Sequence, residues 1–342
     1  MPAPVRRKTL VLVFALGAAL AFAAVAYAGN GGFAPKTPHS PNADRINDSY
    51  KWISLFAILI LIVVEGALIA FILKYRRRGR ARTAEGPQVH GATRLELVWT
   101  AVPVLILAAI AAFLFYKLPG IEDVPSAKAE GGVLRIKVDA HQFYWQYTYP
   151  DGALSFDTLY LPVDRPVELR LNAADVIHSW WVPSLTGKLD AIPGRVNTLR
   201  FVPTKVGEYE GKCAELCGVQ HAIMYTDVQV VESAQYEQEV SGLSGQSQVA
   251  LGKQEWDTVC AKCHGFAGEG DIGPAIAGNG TLTNFKNLST LIREEGQNTS
   301  QFDSYMPAVG QGWTDAQVNA LIAYIKSSKT LSTAAPPAGG SG

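Results

Sequence analysis

One short stretch of the sequence holds the side chains best suited to bind soft metal ions. It reads Cys213-Ala-Glu-Leu-Cys217-Gly-Val-Gln-His221-Ala-Ile-Met224, and His178 lies upstream of it on a predicted strand. Two thiolates, two imidazoles and a thioether select copper over magnesium or calcium. Zinc accepts two cysteines and two histidines, but thioether is a poor zinc ligand and Met224 would then be unexplained. A strained local disulfide is a further alternative, which leaves the methionine and both histidines without a role.

The spacing of the two thiolates favours a pair of copper ions over a single one. Cys213 and Cys217 stand on one loop, so both can bridge two metal ions, and one imidazole can then complete each ion. Such a pair shares one unpaired electron within a fixed cage, so little has to move when its charge changes. The stretch therefore predicts an electron-transfer centre.

A second cysteine motif predicts covalent haem. Cys260-Ala-Lys-Cys263-His264 has the spacing with which two thiols add to the haem vinyl groups while the adjacent histidine reaches the iron. Met306 lies downstream and can supply a thioether on the other face. A His/Met pair leaves no open iron position, so this haem is expected to carry electrons rather than bind oxygen. The alternative for Met306 is an ordinary core methionine.

The overall composition points to membrane segments and away from nucleic acid. The chain has 342 residues with 30 basic and 30 acidic side chains, a balance that gives no reason to expect a nucleic-acid partner. Only 18% of residues are charged and the mean hydropathy is +0.09, which is high for a soluble protein of this length. All four cysteines lie in the two motifs, which suits cofactors better than a disulfide framework.

The N-terminal third reads as an export signal followed by a transmembrane hairpin. Residues 1–28 combine a basic start, an apolar run and a small-residue cleavage site, with a retained first helix as the alternative. Within the hairpin, 45–117, the apolar runs 53–73 and 97–116 are each long enough to cross a bilayer. The loop between them is rich in lysine and arginine and is predicted to be cytoplasmic, so the chain after the hairpin is predicted to lie outside the cytoplasm. Glu65, inside the first run, is expected to contact a partner subunit.

The rest of the chain divides into a β domain and a helical domain. Residues 125–232 hold short alternating segments typical of a compact antiparallel sandwich or barrel, and the segments are 133–149, 167–171, 198–202 and 225–231. A linker with some helix is predicted at 233–247 and a helical domain at 248–330, with helices near 249–262, 285–296 and 315–327. The Pro/Gly-rich tail, 331–342, is predicted to be disordered.

Several motifs resemble a known respiratory family. The chain resembles subunit II of cytochrome c oxidase over about 45–231. The resemblance is carried by His178 with the following Ser-Trp-Trp-Val-Pro, by the stretch 188–195 and by the copper-loop pattern. Residues 247–328 resemble class I cytochromes c, and the fusion resembles caa3-type haem–copper oxidases. The fold implied is a multidomain membrane protein with a two-helix transmembrane hairpin, a cupredoxin-like Greek-key β-barrel and an all-α class I cytochrome c domain.

The resemblance assigns roles to individual residues. For the dinuclear CuA centre it implies that Cys213 and Cys217 are the bridging thiolates and that His178 and His221 are the terminal imidazoles. Met224 would be an axial thioether, and Glu215 would bind through its backbone carbonyl. The Glu215 side chain would also reach a Mg or Mn site shared with subunit I. Haem c would be held by Cys260, Cys263, His264 and Met306. Glu96 matches a glutamate near a proton path into subunit I, and a capping or interfacial carboxylate is its alternative.

One position departs from the family pattern. Phe143 stands where a Trp associated with electron entry from a soluble cytochrome c is usual. The fused cytochrome offers an explanation, because a tethered donor reaches the copper at high effective concentration.

The function implied is electron entry into an aerobic terminal oxidase of the bacterial cell membrane. Electrons would pass from a donor through haem c and CuA to subunit I, which holds haems a and a3 with CuB, and oxygen would be reduced to water there with proton pumping. Further partners implied are subunit III, membrane lipid, and as donor a bc-type or alternative complex III or a small cytochrome c. Both terminal regions would be extracytoplasmic. The alternatives are a subunit of a CuA-containing nitric oxide reductase and a membrane-tethered electron carrier without a catalytic partner.

Overall fold

The structure is a computed structural model that describes residues 35–75, 88, 90–122, 132–295, 297–299 and 304–333. The chain forms two compact units, one containing 43–122 and the other containing 36–42 and the chain from 123 onwards. The predicted signal, 1–28, lies outside the described residues.

The first unit is a pair of long apolar helices, α1 (Pro41–Tyr75) and α2 (Thr93–Lys117), with a short α3 (Pro119–Glu122) after them. Both long helices have the length and composition to cross a membrane. They contact each other through stacked rings of Trp52 and Phe113, whose centroids are 5.0 Å apart. Lys117 and Asp48 form an ion pair at 3.0 Å. The predicted helical hairpin is therefore present.

The β domain consists of two five-stranded sheets packed face to face. The strands are β1 Leu134–His141, β2 Tyr144–Thr148, β3 Leu154–Phe156, β4 Thr158–Pro162, β5 Val167–Ala173, β6 His178–Trp181, β7 Leu189–Ala191, β8 Asn197–Phe201, β9 Gly207–Cys213 and β10 Tyr225–Val231. The orders in the two sheets are β3-β2-β1-β5-β8 and β4-β10-β9-β6-β7. Most strand pairs are antiparallel as predicted, but β1 pairs with β5, and β4 with β10, in parallel.

The inner faces of the two sheets enclose a large aromatic core. Trp145, Trp180 and Tyr147 are completely buried there. Their polar atoms include a hydrogen-bonded chain, since Trp180 Nε1 donates to Tyr147 Oη at 2.9 Å and that hydroxyl bonds Thr226 Oγ1 at 2.6 Å. A buried hydroxyl without such a partner would cost stability, so this network fixes the two sheets against each other.

The predicted linker at 233–247 contains a helix that belongs to the β domain. This helix is α4 (Ser233–Ser244), and its buried Tyr236 and Val240 pack against the same core. The hydrophobic contact explains why a segment rich in polar residues is ordered.

The cytochrome-like domain is built from helices around one apolar cleft. Its elements are α5 (Gln248–Glu255), a π turn (Trp256–Cys260), α6 (Ala261–His264), α7 (Phe285–Thr290), a π turn (Leu291–Glu295), β11 (Gln297–Thr299), β12 (Ser304–Met306), α8 (Asp315–Ser327) and α9 (Lys329–Ser332). Thr314 and Gln317 form a capping box that starts α8. The predicted start of the disordered tail at 331 is wrong, because Leu331 is buried in α9.

The crossing of α5 and α8 depends on a glycine. A Cβ atom on Gly252 would lie 1.9 Å from the carbonyl oxygen of Ala320, so only glycine allows this approach of the two helices. We expect Gly252→Ala to destabilise the domain by about 1–3 kcal/mol, as overpacking does in rigid interiors. Hydrogen exchange of the α5 and α8 amides in the full chain measures the effect. Gly242→Ala on α4, where a Cβ meets open space, is the matched control, and equal exchange in both variants would contradict the packing argument.

Candidate copper and haem sites

The two thiols of the first motif lie side by side at one end of the β domain. Cys213 ends β9 and Cys217 lies in the following loop, with their sulfur atoms 3.9 Å apart. A disulfide would require about 2.05 Å. The hydrogen bond between the thiols lowers the pKa of Cys213 to about 3 and raises that of Cys217. One thiolate thus forms readily, and a bound cation would displace the second proton.

An imidazole stands beside each thiol. His178 Nδ1 is 3.9 Å from the Cys213 sulfur, and His221 Nδ1 is 3.7 Å from the Cys217 sulfur. The buried Met224 sulfur is 3.8 Å from that of Cys217. The structure therefore brings together all five side chains that the sequence predicted as copper ligands.

Asp175 fixes one of these imidazoles. Its Oδ1 lies 2.8 Å from His178 Nε2, which leaves Nδ1 of the ring facing the thiols. Burial acts to lower the pKa of His178, but the hydrogen bonds and charges of Asp175 and Cys213 together outweigh it, and the pKa lies above the ordinary value. The other carboxylate oxygen accepts from the backbone N–H of Gln142 at 2.6 Å, so Asp175 is itself held in place. Asp175 is not among the site residues predicted from the sequence, since an aspartate three residues before a histidine is no signal by itself.

Glu215 offers its backbone and its side chain to different surroundings. Its carbonyl oxygen lies 3.2 Å from the Cys213 sulfur, beside the proposed copper ligands. Its side chain is exposed. The two roles that the resemblance implies for Glu215, a carbonyl ligand and a carboxylate directed to a partner, stay predictions.

The second motif lines a cleft of about 1290 Å³, part of it open to solvent. Cys260, Cys263, His264 and Met306 all line it, among apolar side chains that include Trp256, Leu282, Ile292 and Leu321. Burial raises the pKa of both thiols, which are therefore neutral before any covalent attachment.

The residues of the cleft fit a covalently bound haem. His264 Nδ1 donates to the carbonyl oxygen of Pro274 at 2.8 Å, which leaves Nε2 for the iron. A Cβ on Gly273 would lie 3.0 Å from the imidazole ring, so this glycine keeps the space beside the histidine. Apolar walls, two thiols and a fixed imidazole are the requirements of a c-type site.

The cytochrome-like domain packs against the first hairpin of the β domain. Tyr144 donates to the carbonyl oxygen of Val309 at 2.6 Å and accepts from Trp313 Nε1 at 2.8 Å. Gln317 donates to Gln146 at 3.0 Å. The strand β2 thus supplies part of the core of both domains.

Phe143 occupies this interface. Its ring lines the haem cleft and is only 8% exposed. The position that corresponds to the electron-entry tryptophan implied by the resemblance therefore lies beside the haem cleft of the fused domain.

The two carboxylates of the helical hairpin have distinct surroundings. Glu96 Oε1 accepts from the backbone N–H of Ala92, the N-cap residue of α2, at 3.0 Å, so its carboxylate reaches back over the first turn of the helix. This contact supports the capping alternative, while the proton-path role stays a prediction. Glu65 lies on α1 with an exposed side chain.

Comparison with known proteins finds three family models along the chain. The transmembrane-domain model of cytochrome c oxidase subunit II matches residues 30–116, its periplasmic-domain model matches 157–231, and a cytochrome c model matches 249–329. Cytochrome c oxidase subunit 2 of Alkalihalophilus pseudofirmus is 33% identical over 318 residues, covering 86% of this chain and 90% of that protein. The chain belongs to the cytochrome c oxidase subunit II family.

Other relatives of this subunit II share the family but less of the chain. Cytochrome c oxidase subunit 2 of Synechocystis is 30% identical over 256 residues, 63% of this chain and 76% of that protein. The crystal structure of the periplasmic domain of subunit II of cytochrome oxidase from Bradyrhizobium japonicum is 32% identical, with a TM-score of 0.33, and covers 35% of this chain and 96% of that one.

The family membership confirms the predicted fold class and location. The subunit is a haem–copper oxidase component that combines a membrane hairpin, a cupredoxin-like β domain and a C-terminal cytochrome c domain. It is anchored in the membrane by its two helices, with its β and cytochrome domains on the periplasmic side.

Asp175 is expected to control copper affinity without touching the metal. Replacing it by Asn keeps its size but removes the charge that orients His178. Loss of such an outer partner weakens metal binding roughly 10- to 100-fold, and competition with a copper chelator measures the change. The exposed Asp164, whose left-handed backbone Asn also tolerates, supplies the control Asp164→Asn. Equal copper affinity in the two variants would remove Asp175 from the site.

A buried carboxyl beside the cleft predicts a pH dependence of stability. Burial raises the pKa of Glu255 from 4.5 to about 9, with the Gln317 side chain acting in the opposite direction. Between these values the folded state holds one proton more than the unfolded state, so the free energy of unfolding falls as pH rises.

Glu255→Gln should therefore flatten the fall in the cytochrome domain's free energy of unfolding between about pH 5 and pH 8. Denaturant unfolding followed at the haem absorption band measures it. Glu237→Gln, at an exposed position on α4, should keep the wild-type slope. A wild-type slope in the Glu255 variant would show that the carboxyl is not neutral in the folded protein.

Proposed function

We propose that this chain is the electron-entry subunit of an aerobic respiratory oxidase and receives electrons at its own cytochrome domain. The observation that carries the proposal is the direct contact between the haem motif and the copper loop. Gln220, in the copper loop, donates to the sulfur of Cys263 at 3.2 Å. Two electron-transfer sites built this close together act in series.

The chain's own residues hold both cofactors and keep them rigid. Cys213, Cys217, His178, His221 and Met224, with the Glu215 carbonyl, would hold the CuA pair, and the burial of four of these side chains, His178, Cys213, Cys217 and Met224, limits their movement. Cys260, Cys263, His264 and Met306 would hold haem c. When bound, the haem and the copper pair supply one-electron redox couples. Among the described residues, no further set of side chains is assigned to haem a or to an oxygen-reducing centre. Oxygen reduction is therefore assigned to a partner subunit.

That partner is subunit I of the oxidase, with haems a and a3 and CuB, where oxygen is reduced to water with proton pumping. We assign the exposed Glu215 carboxylate to a Mg or Mn site shared with subunit I, and Glu96, near the start of α2, to a proton path into that subunit. Subunit III and membrane lipid complete the surroundings. A bc-type or alternative complex III, or a small cytochrome c, delivers the electrons.

The covered Phe143 supports entry through the fused cytochrome. A soluble donor that docked on the copper domain at this position would meet a ring that is almost fully buried. A tethered haem needs no such docking surface, because linkage replaces a bimolecular encounter. Phe143 therefore packs the interface.

Removing one sulfur from each site tests the proposal. Cys217→Ser should abolish the electron paramagnetic resonance signal of a copper pair that shares one electron, since a serine hydroxyl cannot bridge as a thiolate does. Cys263→Ser is the matched variant and should leave that signal intact while haem attachment is impaired. Metal analysis and the haem spectrum of the full chain complete the measurement. A normal copper pair in the Cys217 variant would refute the ligand assignment.

A further inference from the structure

The copper loop reaches the haem motif through one side chain. Gln220 lies between Cys217 and His221 and is 7% exposed. Its Nε2 donates to Cys263 Sγ at 3.2 Å, and both residues line the haem cleft. In the loaded protein this sulfur is the thioether that joins haem to chain, and a thioether still accepts a hydrogen bond, though weakly.

The glutamine immediately precedes a predicted copper ligand in the chain. His221 follows it in the chain and stands 3.7 Å from the Cys217 sulfur. The connection from the haem sulfur to the copper imidazole therefore contains a single non-covalent gap, the hydrogen bond itself.

Contacts of the residue next to Cys263 fix the haem motif on the β domain and so keep this hydrogen bond in place. Lys262, the residue between Ala261 and Cys263, pairs with Asp157 at 2.5 Å and donates to the carbonyl oxygen of Phe143 at 3.0 Å. Asp157 is anchored in turn, since its other carboxylate oxygen accepts from the Trp145 N–H at 2.8 Å. Its φ of 57° is unusual for a residue with a side chain and persists only where the surroundings fix it.

The copper loop is pressed against the same surface. Gln142 donates to the carbonyl oxygen of Cys217 at 2.6 Å. A Cβ on Gly218 would lie 2.8 Å from Gln142 Nε2 and 3.0 Å from the Phe143 ring, and the φ of Gly218 is +135°. The copper loop and the haem motif therefore both pack closely against residues 142–143.

We infer that Gln220 is the positioning residue that couples the haem attachment site to the copper pair. The inference deepens the proposed function and rests on it. In the step concerned, one electron leaves haem c, which is oxidised, and enters the copper pair, which is reduced. No bond forms or breaks and no proton moves, and the upstream donor supplies the electron.

The coupling is measured in the intact oxidase by photoreducing haem c and following electron arrival at the copper absorption band. Gln220→Leu should slow the transfer about tenfold, because small losses of positioning carry penalties of this order or larger. The midpoint potentials of both centres and the copper resonance signal should stay unchanged. Gln238→Leu, at an exposed glutamine on α4, should transfer at the wild-type rate.

Gln220→Asn replaces the leucine variant if the latter fails to load haem, and its shorter amide should give an intermediate rate. A wild-type rate in a loaded Gln220 variant overturns the inference. A loss of rate in Phe143→Leu without a loss in Gln220→Leu also overturns it, by placing the coupling in the ring. If the wild-type protein, with both cofactors bound, shows no transfer from haem to copper, the proposed function itself fails.

Discussion

The packing of the haem motif on the 142–146 corner of the β domain is the constraint on which both sites depend. Lys262 bonds the Phe143 carbonyl and Asp157, while Tyr144 bonds Val309 and Trp313 of the other domain. Buried hydroxyl and ammonium groups lose their water, so the fit is stable only if each finds its partner. Any rotation of the cytochrome domain would leave several of these groups unpaired at once.

The two centres reach rigidity by different means. The copper ligands project from strand ends and one loop, and the sheet register places β6 directly against β9, with Trp180 opposite Cys213. The haem ligands surround a cleft between helices whose separation is set by Gly252 and whose proximal histidine is held by Pro274. A sheet edge suits a small metal cage, whereas a helical cleft provides the apolar walls that a large flat cofactor requires.

Local sequence pattern predicted the elements better than their partners. The strand at 225–231 and the helix at 315–327 have the expected bounds, because alternation and a strong capping box are local signals. The pattern at 133–149 predicts one alternating segment, which the structure divides into the hairpin β1–β2 with its turn at Gln142 and Phe143. Neither Gly nor Pro marks that turn, and it is fixed instead by the Asp175 contact from another strand connection. The parallel pairings of β1 with β5 and of β4 with β10 also depend on distant contacts. Alternation of apolar and polar residues indicates a strand but not which strand it pairs with.

The candidate sites show the same division between local and distant information. Cys-x-x-x-Cys and Cys-x-x-Cys-His concentrate ligands within a few residues, so these motifs, together with His178, His221, Met224 and Met306, were enough to predict a copper pair and a haem. Gln220 lies in the Cys213–Met224 stretch and Lys262 in the haem motif, both at positions that are not predicted cofactor ligands, and their partners are 43 and 105 residues away. The chain thus uses non-ligand positions of each stretch to contact the other domain, while the neighbouring positions carry the predicted cofactor ligands. A fused cytochrome can specialise in this way because its partner surface is always the same one, whereas a diffusing cytochrome must keep a surface that releases its partner after each encounter.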